Sequence, residues 1–106
     1  MFRATILYGQ PKDPAEFERY YREVHIPLVK KIEGLKGFTM TKLGPNPNGE
    51  LPPYYLTAAL YAENQEALNA AMATPEGQAA SADVRNFATG SVTFMFGEEE
   101  TVIPLL

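Results

Sequence analysis

The stretch YYLTAALYA, Tyr54–Ala62, is the clearest β-strand in the sequence and anchors the pattern that decides the fold. It consists of aromatic, aliphatic and threonine side chains and contains neither proline nor glycine. The segment before it, GPNPNGELPP, holds too many prolines and turn-forming residues to be anything but a loop. Before that loop, GFTMTKL alternates in side-chain character as a strand does. The middle of the chain is therefore predicted to contain two consecutive strands, Gly37–Leu43 and Tyr54–Ala62.

The outer parts of the chain complete a β-α-β-β-α-β order. FRATILY, Phe2–Tyr8, and SVTFMFG, Ser91–Gly97, are rich in strand formers and predict the first and last strands. After the central strand, Asn64 is a helix N-cap, and Thr74 begins a second helical piece that ends near Asp83. This order is typical of an α+β, ferredoxin-like fold, in which the helices lie on one face of a four-stranded antiparallel sheet.

A long first helix is predicted between the first two strands. Asp13 is its N-cap, and an apolar stripe follows at helical spacing. The stripe consists of Phe17, Tyr21, Val24, Leu28 and Ile32. His25, the only histidine in the chain, lies toward one edge of this stripe. Pro27 lacks the N–H that the carbonyl of Glu23 needs in a regular helix, so we expect a bend at His25 that tilts the imidazole toward the sheet.

Both faces of the predicted sheet are apolar. The face toward the helices is assigned Ala4, Phe38, Met40, Leu56, Leu60, Phe94 and Phe96. The opposite face is assigned Leu7, Leu43, Tyr55, Tyr61 and Met95. Because an exposed patch of that kind usually marks an interface, we expect a homodimer in which the sheet of an identical subunit covers it. The apolar C-terminal TVIPLL is expected to pack on that partner.

Composition narrows the function classes. The 106 residues predict one domain, residues 1–106, and the absence of cysteine excludes disulfides and thiolate metal sites and favours the cytoplasm. The net charge is −4 and the bases are scattered, which argues against a nucleic-acid partner, and no apolar run reaches membrane-spanning length. With one histidine, we expect no metal site. We also expect no cofactor: haem has one candidate axial ligand, His25, but no basic cluster for its propionates.

Two segments resemble a known family. YYREVHIPL in the first helix and TPEG…ADVRNF, Thr74–Phe87, together with the element order, resemble the EthD-like proteins of the dimeric α+β barrel superfamily. The resemblance implies a homodimer whose two sheets close into a barrel, with a small organic ligand in a cavity between sheet and helices. It also suggests a link to ether degradation, because the namesake is encoded beside a cytochrome P450 system that degrades fuel ethers. Relatives in the superfamily include cofactor-independent monooxygenases, polyketide cyclases and lactone isomerases.

His25 and Tyr21 are the candidate catalytic residues. A partly buried imidazole suits general acid–base chemistry, and Tyr21, one turn earlier, can bind the imidazole or a substrate oxygen. The other interpretation makes His25 a boundary residue bonded to a backbone carbonyl. Tyr8 is the leading candidate for ligand binding, and the remaining lining residues are predicted to be Phe38, Met40 and Leu28.

Asp83 allows two interpretations. It can cap the following turn through the backbone of Asn86, or it can lie near His25 and orient the ring. Capping is the simpler interpretation and leaves Asp83 outside the catalytic set.

The sequence as a whole is compatible with three functions: a cofactor-independent enzyme, a non-catalytic carrier of an apolar metabolite, or a structural dimer module whose cavity is filled by side chains.

Overall fold

A computed structural model describes all residues from Met1 to Leu106. The strands are β1 (Phe2–Gly9), β2 (Gly37–Lys42), β3 (Tyr54–Ala62) and β4 (Val92–Glu98). The α-helices are α1 (Pro14–Tyr20), α2 (Ile26–Lys30), α3 (Gln65–Ala73) and α4 (Pro75–Asp83). A π-helical turn, Tyr21–His25, joins α1 to α2, and a 3₁₀ turn, Val84–Asn86, follows α4. No helix is long and apolar enough to cross a membrane.

The four strands form one antiparallel sheet in the order β2-β3-β1-β4. Residues paired across neighbouring strands lie on the same face, so the register assigns each side chain to a face. Ile6, for example, pairs with Ala58 on one side and Phe94 on the other. All the helices pack on the face that carries these three residues. The predicted α+β, ferredoxin-like βαββαβ fold is confirmed.

The predicted N-caps hold the helices in place. The Asp13 carboxylate accepts the backbone N–H of Glu16, and the Asn64 side chain accepts that of Ala67. Thr74 ends α3 and begins α4, and its hydroxyl accepts the N–H of Gly77. A Cβ at Gly77 would lie 2.5 Å from the carbonyl oxygen of Ala71, so only glycine lets the two helices pack this closely.

The first helical region differs from the predicted regular helix. In the π-helical turn, the N–H of Ile26 donates to the carbonyl of Tyr21, five residues back rather than four. The turn ends two residues before Pro27, the residue that has no N–H to donate. At the place where a bend was predicted, the structure therefore has a widened turn.

This turn changes which residues are buried. The buried stripe is Phe17, Tyr21, His25, Val29 and Ile32, whereas Val24 and Leu28 are only half-buried. In a regular α-helix, each step of four residues overshoots a full circle by about 40°, so such steps drift off the face. The π-helical turn absorbs one extra residue and brings His25 and Val29 back under Tyr21. The prediction that His25 lies at the edge of the stripe was wrong, because it lies at the centre.

The sheet face away from the helices also needs one correction. Leu7, Tyr61 and Met95 lie on it, as predicted. Tyr55 does not: its ring packs on Phe17, with ring centroids 5.3 Å apart, and its hydroxyl bonds the carboxylate of Glu18. Tyr8 pairs with Leu56 and Gly9 pairs with Tyr54, so Tyr55 is the extra residue of a β-bulge. A bulge redirects the side chain that it leaves unpaired.

Candidate functional site

A cavity of about 270 Å³ lies between the sheet and the helices. Fifteen of its eighteen lining residues are hydrophobic, and none carries a formal charge apart from a protonated His25. The sheet contributes Ala4, Ile6, Tyr8, Phe38, Ala58, Leu60, Phe94 and Phe96, and the helical side contributes Tyr21, His25, Val29, Ile32, Leu68, Asn69, Met72, Ala80, Ser81 and Val84. The apolar lining matches that of sites for small organic ligands, and the volume lies just below their usual range of about 300–1,000 Å³.

His25 lies in the wall of this cavity among aromatic rings. Only 4% of the residue is exposed, and its ring centroid lies 4.6 Å from that of Phe87 and 5.3 Å from that of Tyr21. Phe87 also contacts Tyr8 and Phe17, so one aromatic cluster holds the sheet, the first helix and the end of the second helical region together. The imidazole therefore has little freedom to rotate.

Asp83 fixes the orientation and the tautomer of the imidazole. Nδ1 of His25 lies 3.0 Å from Oδ2 of Asp83, and both side chains are buried. An ionised carboxylate can only accept hydrogen bonds, so Nδ1 carries the proton, and Nε2 of the neutral ring is left as an acceptor. Nδ1 is occupied by Asp83, and the ring lines the cavity, so Nε2 is the nitrogen that a ligand can reach.

The Asp83 carboxylate is itself fully paired. Its other oxygen, Oδ1, accepts the Tyr20 hydroxyl at 2.6 Å and the Asn86 amide at 3.0 Å. The 3₁₀ turn that follows has no side-chain cap. The capping interpretation of Asp83 was therefore wrong, and the alternative, in which Asp83 orients the ring of His25, describes the structure. Hydrogen bonds that fix the partner of an imidazole, as those to Asp83 do here, hold a functional imidazole in one geometry.

The charges of the pair follow from its surroundings. Burial lowers the pKa of His25, and the hydrogen bond and charge of Asp83 oppose that effect without cancelling it. Burial raises the pKa of Asp83, but the hydrogen bonds from Tyr20, Asn86 and His25 outweigh it, so the net shift is downward. At neutral pH the pair is therefore a neutral imidazole donating to a carboxylate.

Tyr8 and Tyr21 contrast with this paired network. Each is 1% exposed and lines the cavity, and their rings meet edge to face at 5.9 Å. Neither buried hydroxyl has a hydrogen-bond partner. Burial raises the pKa of Tyr21, and burial together with the nearby Tyr21 and Asp83 raises that of Tyr8. Both phenols therefore stay protonated at any physiological pH and can act as hydrogen-bond donors.

The cavity brings together four of the six residues predicted for the site. His25, Tyr21, Tyr8 and Phe38 line it, whereas Leu28 and Met40 do not. The π-helical turn presents Val29 to the cavity in place of Leu28. Met40 lies on the edge strand β2 and packs against the side of the core.

The sequence argument did not place Asp83 or Phe87 in the site. Both belong to the ADVRNF segment that supported the family resemblance, and this was the one signal available for them. No three His, Asp or Glu side chains come close enough together to hold a metal ion.

Known proteins resemble this chain in sequence and in fold. A sequence profile of the EthD domain matches residues 9–91. An uncharacterized 11.0 kDa protein from the thcB-thcC intergenic region of Rhodococcus erythropolis is 46% identical over 104 residues, which are 98% of this chain and 100% of that protein. The crystal structure of an EthD family protein from Bacillus halodurans C-125 superposes with a TM-score of 0.89 at 38% identity, covering 94% of this chain and 99% of that one.

A more distant structure shows the fold alone. It is a dimeric protein of unknown function with a ferredoxin-like fold from Bacteroides fragilis NCTC 9343. The TM-score is 0.65 at 16% identity, and the match covers 92% of this chain and 95% of that one.

Proposed function

The chain belongs to the EthD family, and on that premise we propose that it is a cofactor-independent enzyme in which His25 transfers a proton of a small, largely apolar ligand. The observation that carries the proposal is the contact of 3.0 Å between His25 and Asp83 in the wall of the cavity. A buried base whose second nitrogen is held by a carboxylate is the arrangement that general-base catalysis uses.

In this proposal, each member of the site has one role. Nε2 of His25 takes the proton, and the Asp83 carboxylate stabilises the imidazolium that forms. Because burial lowers the pKa of His25, the ring is unprotonated and ready to act as a base at neutral pH. Tyr21 and Tyr8 position the ligand, and Phe38 contributes apolar contact on the sheet side.

A non-catalytic carrier is the second candidate. The uncharged, largely hydrophobic lining favours it, since apolar contact alone retains an apolar metabolite. The two candidates share the cavity and differ in whether the proton chemistry of His25 matters. A structural module with a filled cavity fits poorly with an open volume of about 270 Å³.

We further propose a homodimer. The sheet face with Leu7, Tyr61 and Met95 is not covered by any element of the chain, and the Bacteroides fragilis protein of the same fold is dimeric. The C-terminal Val102–Leu106 is apolar and exposed, as are Phe94 and Phe96 on β4, so both surfaces gain by contact with a second copy. Sedimentation of the whole chain tests the dimer, and a monomer at all concentrations would contradict it.

Three finer expectations belong to this proposal. They are a single domain spanning residues 1–106, a cytoplasmic location and a role in ether degradation. The cavity contains no group that distinguishes an ether oxygen from other acceptor oxygens, so ether degradation rests on the family resemblance.

Proton abstraction from 5-nitrobenzisoxazole tests the proposed function. This neutral bicyclic compound opens irreversibly when a base removes the proton on C3 of its isoxazole ring, and no cofactor is needed. We expect the wild-type protein to exceed the rate of buffer imidazole, and His25→Gln to lose that excess while still binding 2-naphthol. The rate should rise with pH through the lowered pKa of His25 and then level off. Retained naphthol binding without any catalysis by the wild type would favour the carrier.

A further inference from the structure

We propose that the ligand is an uncharged ketone with an apolar body and an acidic α-hydrogen. Its carbonyl oxygen would be bound by the hydroxyls of Tyr8 and Tyr21. This inference rests on the proposed function, because it uses His25 as the base, and it adds the substrate class and an oxyanion site. Three features of the cavity carry it: its charge, the unpaired hydroxyls of two of its tyrosines, and Nε2 of His25, the one basic nitrogen in its lining.

The charge of the cavity selects an uncharged ligand. No lysine or arginine lines it, and the charged group beside it is the carboxylate of Asp83. This carboxylate lies 3.0 Å from Nδ1 of His25, a residue of the cavity wall, so its negative charge acts on the same site. A carboxylate or phosphate would therefore lose its hydration without gaining a cation, and it would be repelled by Asp83. A neutral ligand meets neither penalty.

The unpaired hydroxyls call for an acceptor on that ligand. Those of Tyr8 and Tyr21 are buried, have no partner in the protein and remain protonated. Buried polar groups in native proteins are nearly always hydrogen-bonded, so two such hydroxyls on residues that line one cavity favour a partner that arrives from outside. Neither hydroxyl oxygen is accessible in the ligand-free structure, so the two rings must shift for a carbonyl to reach them. A single carbonyl oxygen has two lone pairs and is able to accept from both phenols.

Nε2 of His25 calls for an acidic hydrogen. Nδ1 is committed to Asp83, so Nε2 can only accept a proton. The ring of Tyr21 packs against both of the other groups, with centroids 5.3 Å from His25 and 5.9 Å from Tyr8. In the proposed complex, a carbonyl held by the phenols has its neighbouring carbon on the side of the imidazole. The hydrogen on that carbon is the acidic one.

The reaction step balances without an oxidant or reductant. Nε2 takes the α-hydrogen as a proton, and the electron pair of the broken C–H bond forms a C=C bond. The π electrons of the carbonyl move to its oxygen, giving an enolate bound by two phenols and an imidazolium bound by Asp83. The imidazolium then returns the proton, to the same carbon or to a conjugated one, so the reaction class is enolisation or isomerisation.

Deuterium uptake into 2-tetralone tests the inference. In D₂O, the wild-type protein should speed exchange of the α-hydrogens at least tenfold over buffer, as followed by NMR. Tyr8→Phe and Tyr21→Phe should each reduce that excess about a hundredfold or more, the range found when one oxyanion donor is removed. Tyr55→Phe is the matched control, because its hydroxyl bonds Glu18 outside the cavity, and it should leave the rate unchanged. Ligand-free thermal unfolding of all three variants confirms that each is folded.

Two further probes separate the possible failures. 2-Naphthol, an aromatic enol, should compete with 2-tetralone, whereas the 2-naphthoate anion should bind at least tenfold more weakly than 2-naphthol. Equal binding of 2-naphthoate, or full exchange activity in both phenylalanine variants, would overturn the inference. A wild-type protein that opens 5-nitrobenzisoxazole through His25 but does not exchange the hydrogens of 2-tetralone would also overturn the inference. That result would leave the proposed function standing. Undiminished exchange and undiminished ring opening in His25→Gln would overturn both.

Discussion

Two sets of polar groups meet at the aromatic cluster, and they differ in their hydrogen bonding. The Asp83 carboxylate is bonded to His25, Tyr20 and Asn86, so every strong group in that set has a partner. The hydroxyls of Tyr8 and Tyr21 are as deeply buried and have none. The comparison teaches that burial alone does not mark a functional group. The paired set stabilises the fold and fixes the imidazole, whereas the unpaired set lowers stability and becomes useful only when a ligand supplies an acceptor.

Removing the carboxylate of the paired set should have the largest effect on stability. Asp83→Ala leaves the buried Nδ1–H of His25 and the half-buried hydroxyl of Tyr20 without an acceptor, whereas the exposed amide of Asn86 can bond to water instead. We expect the free energy of unfolding to fall by about 3 kcal/mol, since the lost bonds are to a charged group. Urea denaturation at pH 7 measures it. A loss below about 1 kcal/mol would mean that the network contributes little. Asp83→Asn keeps an acceptor oxygen, so its free energy of unfolding should fall less than that of the alanine variant.

The pH dependence of stability should come next in size. Unfolded His25 takes up a proton near pH 6.5, but the folded residue, with its lowered pKa, resists protonation. Below pH 6.5 the unfolded state therefore binds more protons, and the free energy of unfolding falls as the pH falls. The slope for one proton approaches about 1.4 kcal/mol per pH unit.

Unfolding measured between pH 7 and pH 5 isolates this effect, because Asp83 and the acids with lowered pKa values titrate below that range. His25→Gln is the control and should be nearly flat over the same interval. A wild-type protein that is equally flat would show that its imidazole titrates normally in the fold.

Removing an unpaired hydroxyl should have the smallest effect, and of the opposite sign. Tyr8→Phe keeps the ring that packs on Phe17 and Phe87 but deletes a buried hydroxyl without a partner. We expect the ligand-free protein to gain about 1 kcal/mol, because the penalty of burying that group disappears. Tyr55→Phe, which loses a bond to Glu18, should not be stabilised. Destabilisation by Tyr8→Phe would mean that its hydroxyl has a partner in solution, such as an ordered water.

Much of the fold could be predicted, because the signals for it are local. The three caps at Asp13, Asn64 and Thr74 and the strand-forming composition of Tyr54–Ala62 lie within a few residues of what they determine. The β-bulge at Tyr55 could not be predicted, because it depends on the register between two strands that are distant in sequence. The apolar character of the C-terminal segment could also be read directly from its own residues, and the structure leaves this segment exposed.

The site could be predicted only in part. His25, Tyr21, Tyr8 and Phe38 were found because their residue types are unusual or their strand positions are clear. The burial of His25 was underestimated, because a helical projection assumes a constant period and the π-helical turn changes it. Asp83 was set aside because its contact with the histidine joins residues 58 positions apart, and a long-range contact of this kind is not written in either segment alone.

The central claim is that His25 is a neutral imidazole with the proton on Nδ1, held by Asp83, and with Nε2 open to the cavity. Because the chain has one histidine, ¹⁵N NMR of its ring measures this directly. We predict a protonated Nδ1 and an unprotonated Nε2 at pH 7, a pKa below the ordinary 6.5, and a shift of the Nε2 signal on addition of 2-naphthol. A proton on Nε2, or an ordinary pKa with no response to 2-naphthol, would contradict the claim.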